Sequence, residues 1–444
     1  MRLRSLSQFK LMRLSHLATA TLLLSQALSQ AIGVQSTTTG NQTEGQEQST
    51  TNGNQAEGQK QPRPKGNQTD GPERSYPGEK IKWSACGRTQ KGFELECSSV
   101  DVPADQFNKE KARNITFNVP IIRLRRENAK KNLIYGPGGP GLSGIEDIYF
   151  GGDEMTTLVG GDYHLMSFDP RGVNSSKPTA ECFPTEELAL TRTFDSRKLQ
   201  VEDSGMFAWA SGVVKACRDN MGEHGKYINT PQAVADMNSI LDAVGQEEMV
   251  LWGVSYGTML AETYAALFPN RSSRIIADSV VHPFEWYDSL FIKSDYSKTM
   301  EVLQAFADEC VKAGDRCALS SSAGPKELLI NRIVDSVKQL GPEPLDVYVN
   351  VTTYGWIDNS TTWGSIFQAL YSPDVWPVLA RDLKSIMQGD GTGALLNSGL
   401  VDGLPIDPSL SASWFYTFND GLSGADWPRG IHASSRTRVS GTAR

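Results

Sequence analysis

The stretch Met249-Val250-Leu251-Trp252-Gly253-Val254-Ser255-Tyr256-Gly257 decides the fold. Its first four residues form a short apolar run that predicts a buried strand. Residues Thr258–Phe268 contain no Pro or Gly and predict a helix, which Pro269 stops. Between strand and helix stands Gly-x-Ser-x-Gly, whose glycines allow strand and helix to pack closely around a sharp turn. Such a turn is a nucleophile elbow, and it makes Ser255 the predicted nucleophile.

Working outward, short apolar runs alternate with helical patterns. Strands are predicted at Ile115–Leu124, Asn132–Tyr135, Leu165–Phe168 and Arg274–Asp278. Thr230-Pro231, as N-cap and first-turn proline, predicts the start of a helix that Gly245 ends. Alternation of this kind predicts an α/β fold with a mostly parallel sheet flanked by helices over residues 77–281.

After the strand that follows the elbow, the pattern turns helical over residues 282–404. Met300–Val311 and Lys326–Leu340 are the clearest helical segments, and aromatic residues cluster between Tyr354 and Trp376. We interpret this region as a helical cap inserted into the α/β core. Residues 405–444 show no clear pattern and are expected to form an irregular tail.

The sequence of the first 76 residues indicates a segment for export of the protein, followed by a linker, rather than a folded domain. Residues 1–31 combine basic residues, an apolar stretch and the small-x-small pattern Ser29-Gln30-Ala31, as in a secretory signal peptide. Residues 32–76 are polar and repeat a Gly-Asn-Gln hexapeptide at positions 40, 53 and 66, which predicts a disordered linker. No other segment is long and apolar enough to span a membrane.

Net charge restricts the partners that the chain can have, and cysteine content agrees with a secreted protein. Without residues 1–31 the chain carries 39 Lys and Arg against 51 Asp and Glu, a net charge of −12, which disfavours nucleic acid as a partner. Six cysteines suit an oxidising compartment. Their spacing favours Cys86 with Cys97 and Cys310 with Cys317, leaving Cys182 and Cys217. Seven Asn-x-Ser/Thr sequons also agree with secretion: Asn41, Asn67, Asn114, Asn174, Asn270, Asn350 and Asn359.

No metal or cofactor site is predicted, because the chain has no Cys-x-x-Cys pair and no histidine cluster. The chemistry expected of Ser255 is acyl transfer, which needs donors for an oxyanion. Gly136-Pro137-Gly138-Gly139-Pro140-Gly141 follows a predicted strand and exposes backbone N–H groups. We therefore predict that the amides of Gly139 and Tyr256 form the oxyanion hole.

Three motifs in order carry a resemblance to a known family. Gly138-Gly139-Pro140-Gly141, Asp169-Pro170-Arg171-Gly172 and Gly253–Thr258 resemble the signature of prolyl-iminopeptidase-type α/β-hydrolases. The secreted tripeptidyl-aminopeptidase-like branch is the most similar, since Trp83–Pro103 and the Cys310/Cys317 spacing also match it. The resemblance implies an α/β-hydrolase that cleaves peptides from their free N-terminus through an acyl-enzyme on Ser255. One departure is Asn174, where the family usually has glycine.

The resemblance also implies that the Asp and the His of the triad lie on late loops beyond the cap. In this sequence we expect the segments that carry these two residues, and the last strands of the sheet, to be missing. Of the two histidines after Ser255, His282 stands at the cap entrance and His432 in a polar tail. His432 is a weak candidate for the base and Asp278 for the acid. Other acids without distinguishing context are Asp402, Asp407 and Asp420.

Three functions therefore stay open. The first is a secreted exopeptidase acting on a peptide or small acyl substrate. An esterase or lipase on the same fold is the second, because this fold carries many acyl-transfer reactions. The third is a catalytically inactive, truncated homologue, which the missing histidine favours. The oligomeric state is not predicted.

Overall fold

A computed structural model describes residues 73–421 except 113, 186, 190, 193–203, 289–293, 321–325 and 398–408. The predicted signal peptide and nearly all of the predicted linker lie outside the described residues. So do several residues singled out from the sequence: Asn41, Asn67, Asp402, Asp407 and His432.

The described strands and helices alternate through the first half of the chain. In chain order they are β1 Ser84–Arg88, β2 Glu94–Pro103, β3 Thr116–Leu124, β4 Lys131–Gly136, α1 Gly144–Val159, β5 Tyr163–Phe168, α2 Ser204–Met221, α3 Thr230–Ala243, β6 Met249–Val254, α4 Tyr256–Leu267, β7 Ser272–Asp278 and α5 Pro283–Asp288. There follow α6 Thr299–Ala313, α7 Lys326–Gln339, β8 Leu345–Asn350, β9 Thr353–Ile357, α8 Asn359–Leu370, α9 Trp376–Met387, α10 Thr392–Asn397 and α11 Ser409–Asp420.

Seven strands form one sheet in the order β1-β2-β3-β5-β4-β6-β7. Strands β5, β4, β6 and β7 run parallel, and β1 to β3 extend the sheet in antiparallel fashion. The crossover between β4 and β6 places the carboxyl ends of these two strands side by side. Loops at this edge of a parallel sheet are where α/β folds place their chemistry.

The predicted parallel sheet is confirmed. Strands β4 and β6 could be recognised in the sequence because nearly all of their residues are buried. All six residues of β6 are buried, as are five of the six in β4. Strands covered on both faces appear as continuous apolar runs. Helix α4 contacts β4, β6, β7 and α3, while α1 contacts β3 and β5.

Contacts divide the described residues into two compact units. One contains the described residues of 58–295 and 405–444, including the sheet and α11; the other contains those of 296–404. The second unit has two apolar clusters of its own. One is centred on α6, α7 and α9 and includes Phe306 and Ile333, and the other includes Val347 and Ile357.

Several expectations need correction. The region predicted as a helical cap contains the antiparallel hairpin β8–β9, and its first helix, α5, belongs to the unit with the sheet. The tail expected to be irregular contains helix α11, whose apolar residues Ala412, Phe415 and Tyr416 join the main core. Thr230 is not the N-cap of α3: Asn229 caps the helix by accepting from Gln232 N, and Thr230 is its first residue.

All three disulfides lie within the described residues: Cys86–Cys97, Cys182–Cys217 and Cys310–Cys317. The pairs that spacing favoured are therefore confirmed. Among the described helices, none has the length and apolar character that crossing a bilayer requires.

Candidate active site

Ser255 lies at the bend between β6 and α4, in the conformation expected of a nucleophile elbow. Its backbone has φ 54° and ψ −125°, a region that costs a non-glycine residue free energy. Three hydrogen bonds to the backbone of Ser255 hold it there: Ser255 N donates to Asp278 O (3.0 Å), and Ser255 O accepts from Thr258 N (2.8 Å) and from the side-chain hydroxyl Thr258 Oγ1 (2.7 Å). Although its neighbours Val254 and Tyr256 are buried, Ser255 itself is exposed. The elbow therefore presents a hydroxyl-bearing residue to solvent.

The two glycines of the motif are required by backbone contact. A Cβ on Gly253 would lie 2.0 Å from the carbonyl oxygen of Gly257, and a Cβ on Gly257 would lie 2.1 Å from that of Gly136. Real Cβ atoms do not approach so closely, so strand β6, helix α4 and the end of β4 meet only because side chains are absent. This contact fixes the elbow against the loop after β4.

The Gly-rich loop at 136–141 lies directly beside Ser255. A Cβ on Gly138 would be 3.5 Å from the Cβ of Ser255. Gly139 has φ +109°, and a Cβ there would lie 2.7 Å from Gly141 N. Glycine is thus required for this turn, which brings the backbone of Gly139 to the neighbourhood of the predicted nucleophile.

Asp169, at the end of β5, organises the loops on the same edge of the sheet. Oδ1 accepts from Ser143 Oγ (2.5 Å), the N-cap of α1, while Oδ2 accepts from Ser175 N and Asn174 Nδ2 (both 3.1 Å). Burial raises the pKa of Asp169 to about 6, and these hydrogen bonds oppose the shift. Asn174 has φ 43°, which explains why glycine suits this position. Its amide instead supplies the contact to Asp169.

Arg171 is a buried residue that connects three parts of the core. It donates to both oxygens of Asp236 on α3 (2.7 and 2.6 Å), to Ala104 O (2.6 Å) and to Tyr227 O (3.0 Å). Burial raises the pKa of Asp236, and the adjacent guanidinium opposes that shift. The Asp-Pro-Arg-Gly motif is therefore a structural support of the loops around Ser255.

Comparison with known proteins agrees with this geometry. Residues 133–307 match the family described as the alpha/beta hydrolase fold. This chain has the α/β-hydrolase fold.

Its relatives carry the names of peptidases and esterases. The chain is 30% identical over 205 residues to a tripeptidyl aminopeptidase of Streptomyces lividans. The aligned region covers 44% of this chain and 37% of that protein. It is 24% identical over 331 residues to the serine protease Hip1 of Mycobacterium tuberculosis strain H37Rv (71% and 61%). Identity to carboxylesterase B of Mycobacterium tuberculosis strain CDC 1551 is 26% over 336 residues (71% and 60%). The match thus spans between 37% and 61% of these relatives' lengths, and the resemblance to tripeptidyl-aminopeptidase-like α/β-hydrolases is confirmed.

A network of polar side chains that the sequence did not reveal holds Tyr256, the residue that follows Ser255 in the elbow. The phenol of Tyr256 lies 2.7 Å from Thr230 Oγ1, and Thr230 Oγ1 donates to Asp420 Oδ2. Because that hydroxyl donates to the carboxylate, it accepts from Tyr256. Asp420 also accepts from Thr230 N (2.8 Å) and from Trp286 Nε1 (2.9 Å). Asp420, at the end of α11, therefore anchors the residue next to Ser255.

The pKa values of Asp420 and Tyr256 are shifted chiefly by burial. Burial raises the pKa of Asp420 to about 6, and the donors Thr230 and Trp286 oppose the shift. Burial raises the pKa of Tyr256 well above its usual range, so the phenol stays protonated and remains a donor. Its ring also packs against Trp286 and Tyr416, with centroids 5.4 and 5.6 Å away.

Among the described residues, no histidine forms a hydrogen bond with the side chain of Ser255. His282 is exposed and its Nδ1 accepts from Glu285 N (3.1 Å). His164 accepts from Arg126 N, and burial lowers its pKa to about 4; His224 contacts the ring of Phe117. None of these three hydrogen bonds to the Ser255 hydroxyl.

The structure describes one of the two residues suggested as the other members of a triad, Asp278, but not the other, His432. Asp278, at the end of β7, contacts the nucleophile through its backbone, since its carbonyl accepts from Ser255 N. His432 lies outside the described residues. Across the part of the chain that the structure describes, no group of three His, Cys, Asp or Glu residues is suited to hold a metal ion.

Proposed function

We propose that this chain is a serine hydrolase whose Ser255 forms an acyl-enzyme, and that its substrates are peptides with a free N-terminus. The observation that carries the proposal is the exposed Ser255 in a left-handed conformation at a strand–helix bend. Gly138 beside it supports the assignment of the Gly139 and Tyr256 amides as oxyanion donors. Similarity to a tripeptidyl aminopeptidase supports the substrate class.

The reaction would proceed in two steps. Ser255 Oγ attacks the carbonyl carbon of the scissile amide as a base takes its proton, and the oxyanion is held by the amides of Gly139 and Tyr256. The C–N bond then breaks, and the amine leaves with a proton. Water releases the acyl group from Ser255 by the same sequence of steps. His432 stays the candidate base.

Secretion is part of the proposal. The N-terminal sequence has the pattern of a signal peptide, and three disulfides among the described residues suit an oxidising compartment. Release of the protein into culture medium, with its N-terminus after residue 31, is the expected result of expression in a secreting host.

A fluorophosphonate probe tests the nucleophile directly, because it labels only an activated serine. We expect the wild-type chain to be labelled and Ser255→Ala to be silent. Ser279→Ala is a matched control, since Ser279 is also exposed with positive φ (58°) but stands outside the elbow. Labelling that persists in Ser255→Ala would contradict the proposal.

Substrate class is tested by comparing a tripeptidyl p-nitroanilide with its N-acetylated form and with a p-nitrophenyl ester. An exopeptidase acting on free N-termini should cleave the first and not the second. Cleavage of the ester alone would favour the second candidate function, an esterase, which the similarity to a carboxylesterase supports.

The third candidate, an inactive homologue, is favoured by a specific observation. Among the described histidines, none hydrogen-bonds to the hydroxyl of Ser255, and a serine without its base retains only a small fraction of its rate. A folded, secreted wild-type protein that the probe fails to label would establish this reading instead.

A further inference from the structure

Strand β7 forms one edge of the seven-stranded sheet. Among the strands that the structure describes, it pairs with β6 alone. Ile276, in the middle of β7, is 54% exposed, and the next residue, Ala277, is also exposed. In register with Ile276 lie Trp252 of β6 and Tyr135 of β4, which are both buried. The apolar row across this face of the sheet therefore reaches the edge, where it is only partly covered.

The opposite edge of the sheet, β1, is irregular, and β7 is not. The register of β1 shifts within the strand, and the disulfide Cys86–Cys97 joins β1 to β2 at the same place. Irregularities of this kind keep an edge strand from pairing with another chain. Between Arg274 and Asp278, by contrast, β7 follows β6 without a register shift and contains no proline. A regular edge strand of this kind is suited to pair with a further strand.

The hydrogen bonds between β6 and β7 determine which backbone groups of β7 face the open side. The carbonyl of Asp278 accepts from Ser255 N, so the backbone of Asp278 is directed towards β6. In an extended strand, the N–H and C=O of one residue point to the same side, and consecutive residues point to opposite sides. Ile276 is therefore also directed towards β6, while the N–H and C=O groups of Ile275 and Ala277 face the open side.

We propose that two copies of this chain pair through β7 in antiparallel fashion, with a two-fold axis at Ile276. In this register Ile275 of one copy lies opposite Ala277 of the other, and each such pair exchanges two backbone hydrogen bonds. Ile276 lies opposite Ile276 of the second copy, in a pair without hydrogen bonds, where side chains approach most closely. The exposed end of the apolar row is thereby covered by the same residue of the second copy.

The charges of β7 are complementary in this register. Arg274 and Asp278 stand two positions before and two positions after Ile276, so each Arg274 faces Asp278 of the second copy. Opposite charges directly across an antiparallel pair stabilise it. Moving the axis to Ile275 or to Ala277 places Arg274 opposite an uncharged residue instead. This self-complementarity identifies a second copy of the chain as the occupant of the edge.

One existing contact of Arg274 is compatible with the pairing. Arg274 Nη1 donates to the phenol oxygen of Tyr163 (2.7 Å). A guanidinium carries five N–H groups, so this bond leaves others that can donate to a carboxylate. The pairing involves the edge of the sheet and is independent of the reaction at Ser255.

Size-exclusion chromatography with light scattering of the full secreted chain tests the pairing. At roughly 100 µM, a concentration suited to a small interface, we expect a mass twice that of one copy. Ile276→Lys should be monomeric, because it places two like charges together at the axis. Phe107→Lys is the matched control: Phe107 is 56% exposed but lies outside β7, so this variant should remain dimeric. A monomeric wild type, or one that forms larger oligomers, would overturn the proposal.

An exchange of charges tests the register. Arg274→Asp should be monomeric, because two carboxylates then face each other in each outer pair. Arg274→Asp/Asp278→Arg restores opposite charges across these pairs and should regain the dimer. Circular dichroism and urea unfolding verify that the variants are folded. A folded double variant that stays monomeric would overturn the register, and a dimer that persists in both Arg274→Asp and Ile276→Lys would overturn pairing through β7.

Discussion

At the scale of single residues, the elbow depends on glycines that no other residue can replace. Gly257→Ala would place a methyl group 2.1 Å from the carbonyl oxygen of Gly136, where only backbone can give way. Overpacking of this kind costs roughly 1–3 kcal/mol or more, and we expect the substitution also to abolish probe labelling of Ser255. Urea unfolding and labelling measure the two effects.

Gly212→Ala is the matched control for that prediction. Gly212 lies within α2 with no atom near the position of its Cβ, so alanine should stabilise the helix by roughly 0.5–1 kcal/mol. Equal effects of the two substitutions would show that close backbone contact does not shape the elbow.

Asp420 gives a residue-scale prediction about pH. Its pKa is raised to about 6 in the folded chain, chiefly by burial, whereas an unfolded aspartate titrates near 3.9. The folded state therefore holds the proton more tightly, and stability falls as pH rises from about 4 to about 6. At 1.36 kcal/mol per pKa unit the loss is roughly 3 kcal/mol. Asp420→Asn should lack this part of the pH dependence.

The measurement compares urea unfolding of the wild type and Asp420→Asn across that pH window. The tyrosines that face Asp420, namely Tyr256, Tyr287 and Tyr416, have raised pKa values and stay neutral there. Asp169, also raised to about 6, is present in both proteins and cancels in the difference. If the free energies of unfolding of the two proteins changed in parallel with pH, the raised pKa would not belong to Asp420.

At the scale of elements, the Arg171–Asp236 pair joins the loop after β5 to helix α3. Both side chains are fully buried, with Arg171 Nη2 2.6 Å from Asp236 Oδ1. Arg171→Met should destabilise the chain by about 3–5 kcal/mol, because it leaves an uncompensated buried carboxylate. The double variant Arg171→Met/Asp236→Asn should be more stable than that single variant. A double variant as unstable as the sum of the singles would contradict this reasoning.

Elements with strong local patterns could be predicted from the sequence. The strand predicted at Leu165–Phe168 is Tyr163–Phe168, and the helix predicted at Lys326–Leu340 is Lys326–Gln339, because continuous apolar runs and amphipathic periods mark buried strands and packed helices. Helix α1 was not predicted, because its Gly151-Gly152 pair lowers helix propensity and obscures the N-cap Ser143 and the packing against β3 and β5, which favour the helix. The hairpin β8–β9 was hidden within a region of helical pattern.

Residues of the candidate site likewise differ in how far they could be predicted from the sequence. Ser255 could be found because strand, turn and helix are contiguous in sequence. Asp420 could not, because its role depends on contacts with Thr230 and Trp286, which are 190 and 134 residues away. An aspartate at the end of an aromatic helix carries no local signal of the distant residues that it contacts in the fold.

At the scale of the whole molecule, the chain enters and leaves the unit of 296–404 between β7 and α11. The unit with the sheet is therefore built from segments far apart in sequence: α11, after this excursion, joins the same core as β3 and α3. Closing such long loops costs conformational entropy, which cross-links in the unfolded chain reduce.

Disulfide Cys182–Cys217 should contribute more to the stability of this unit than Cys86–Cys97. The first closes a loop of 35 residues and the second a loop of 11. In the chain-entropy estimate these loops correspond to about 4 and about 3 kcal/mol. We expect Cys182→Ser/Cys217→Ser to lower the free energy of unfolding by about 1 kcal/mol more than Cys86→Ser/Cys97→Ser in urea. The reverse order would show that native packing around β1 and β2, rather than the unfolded chain, determines what each disulfide contributes.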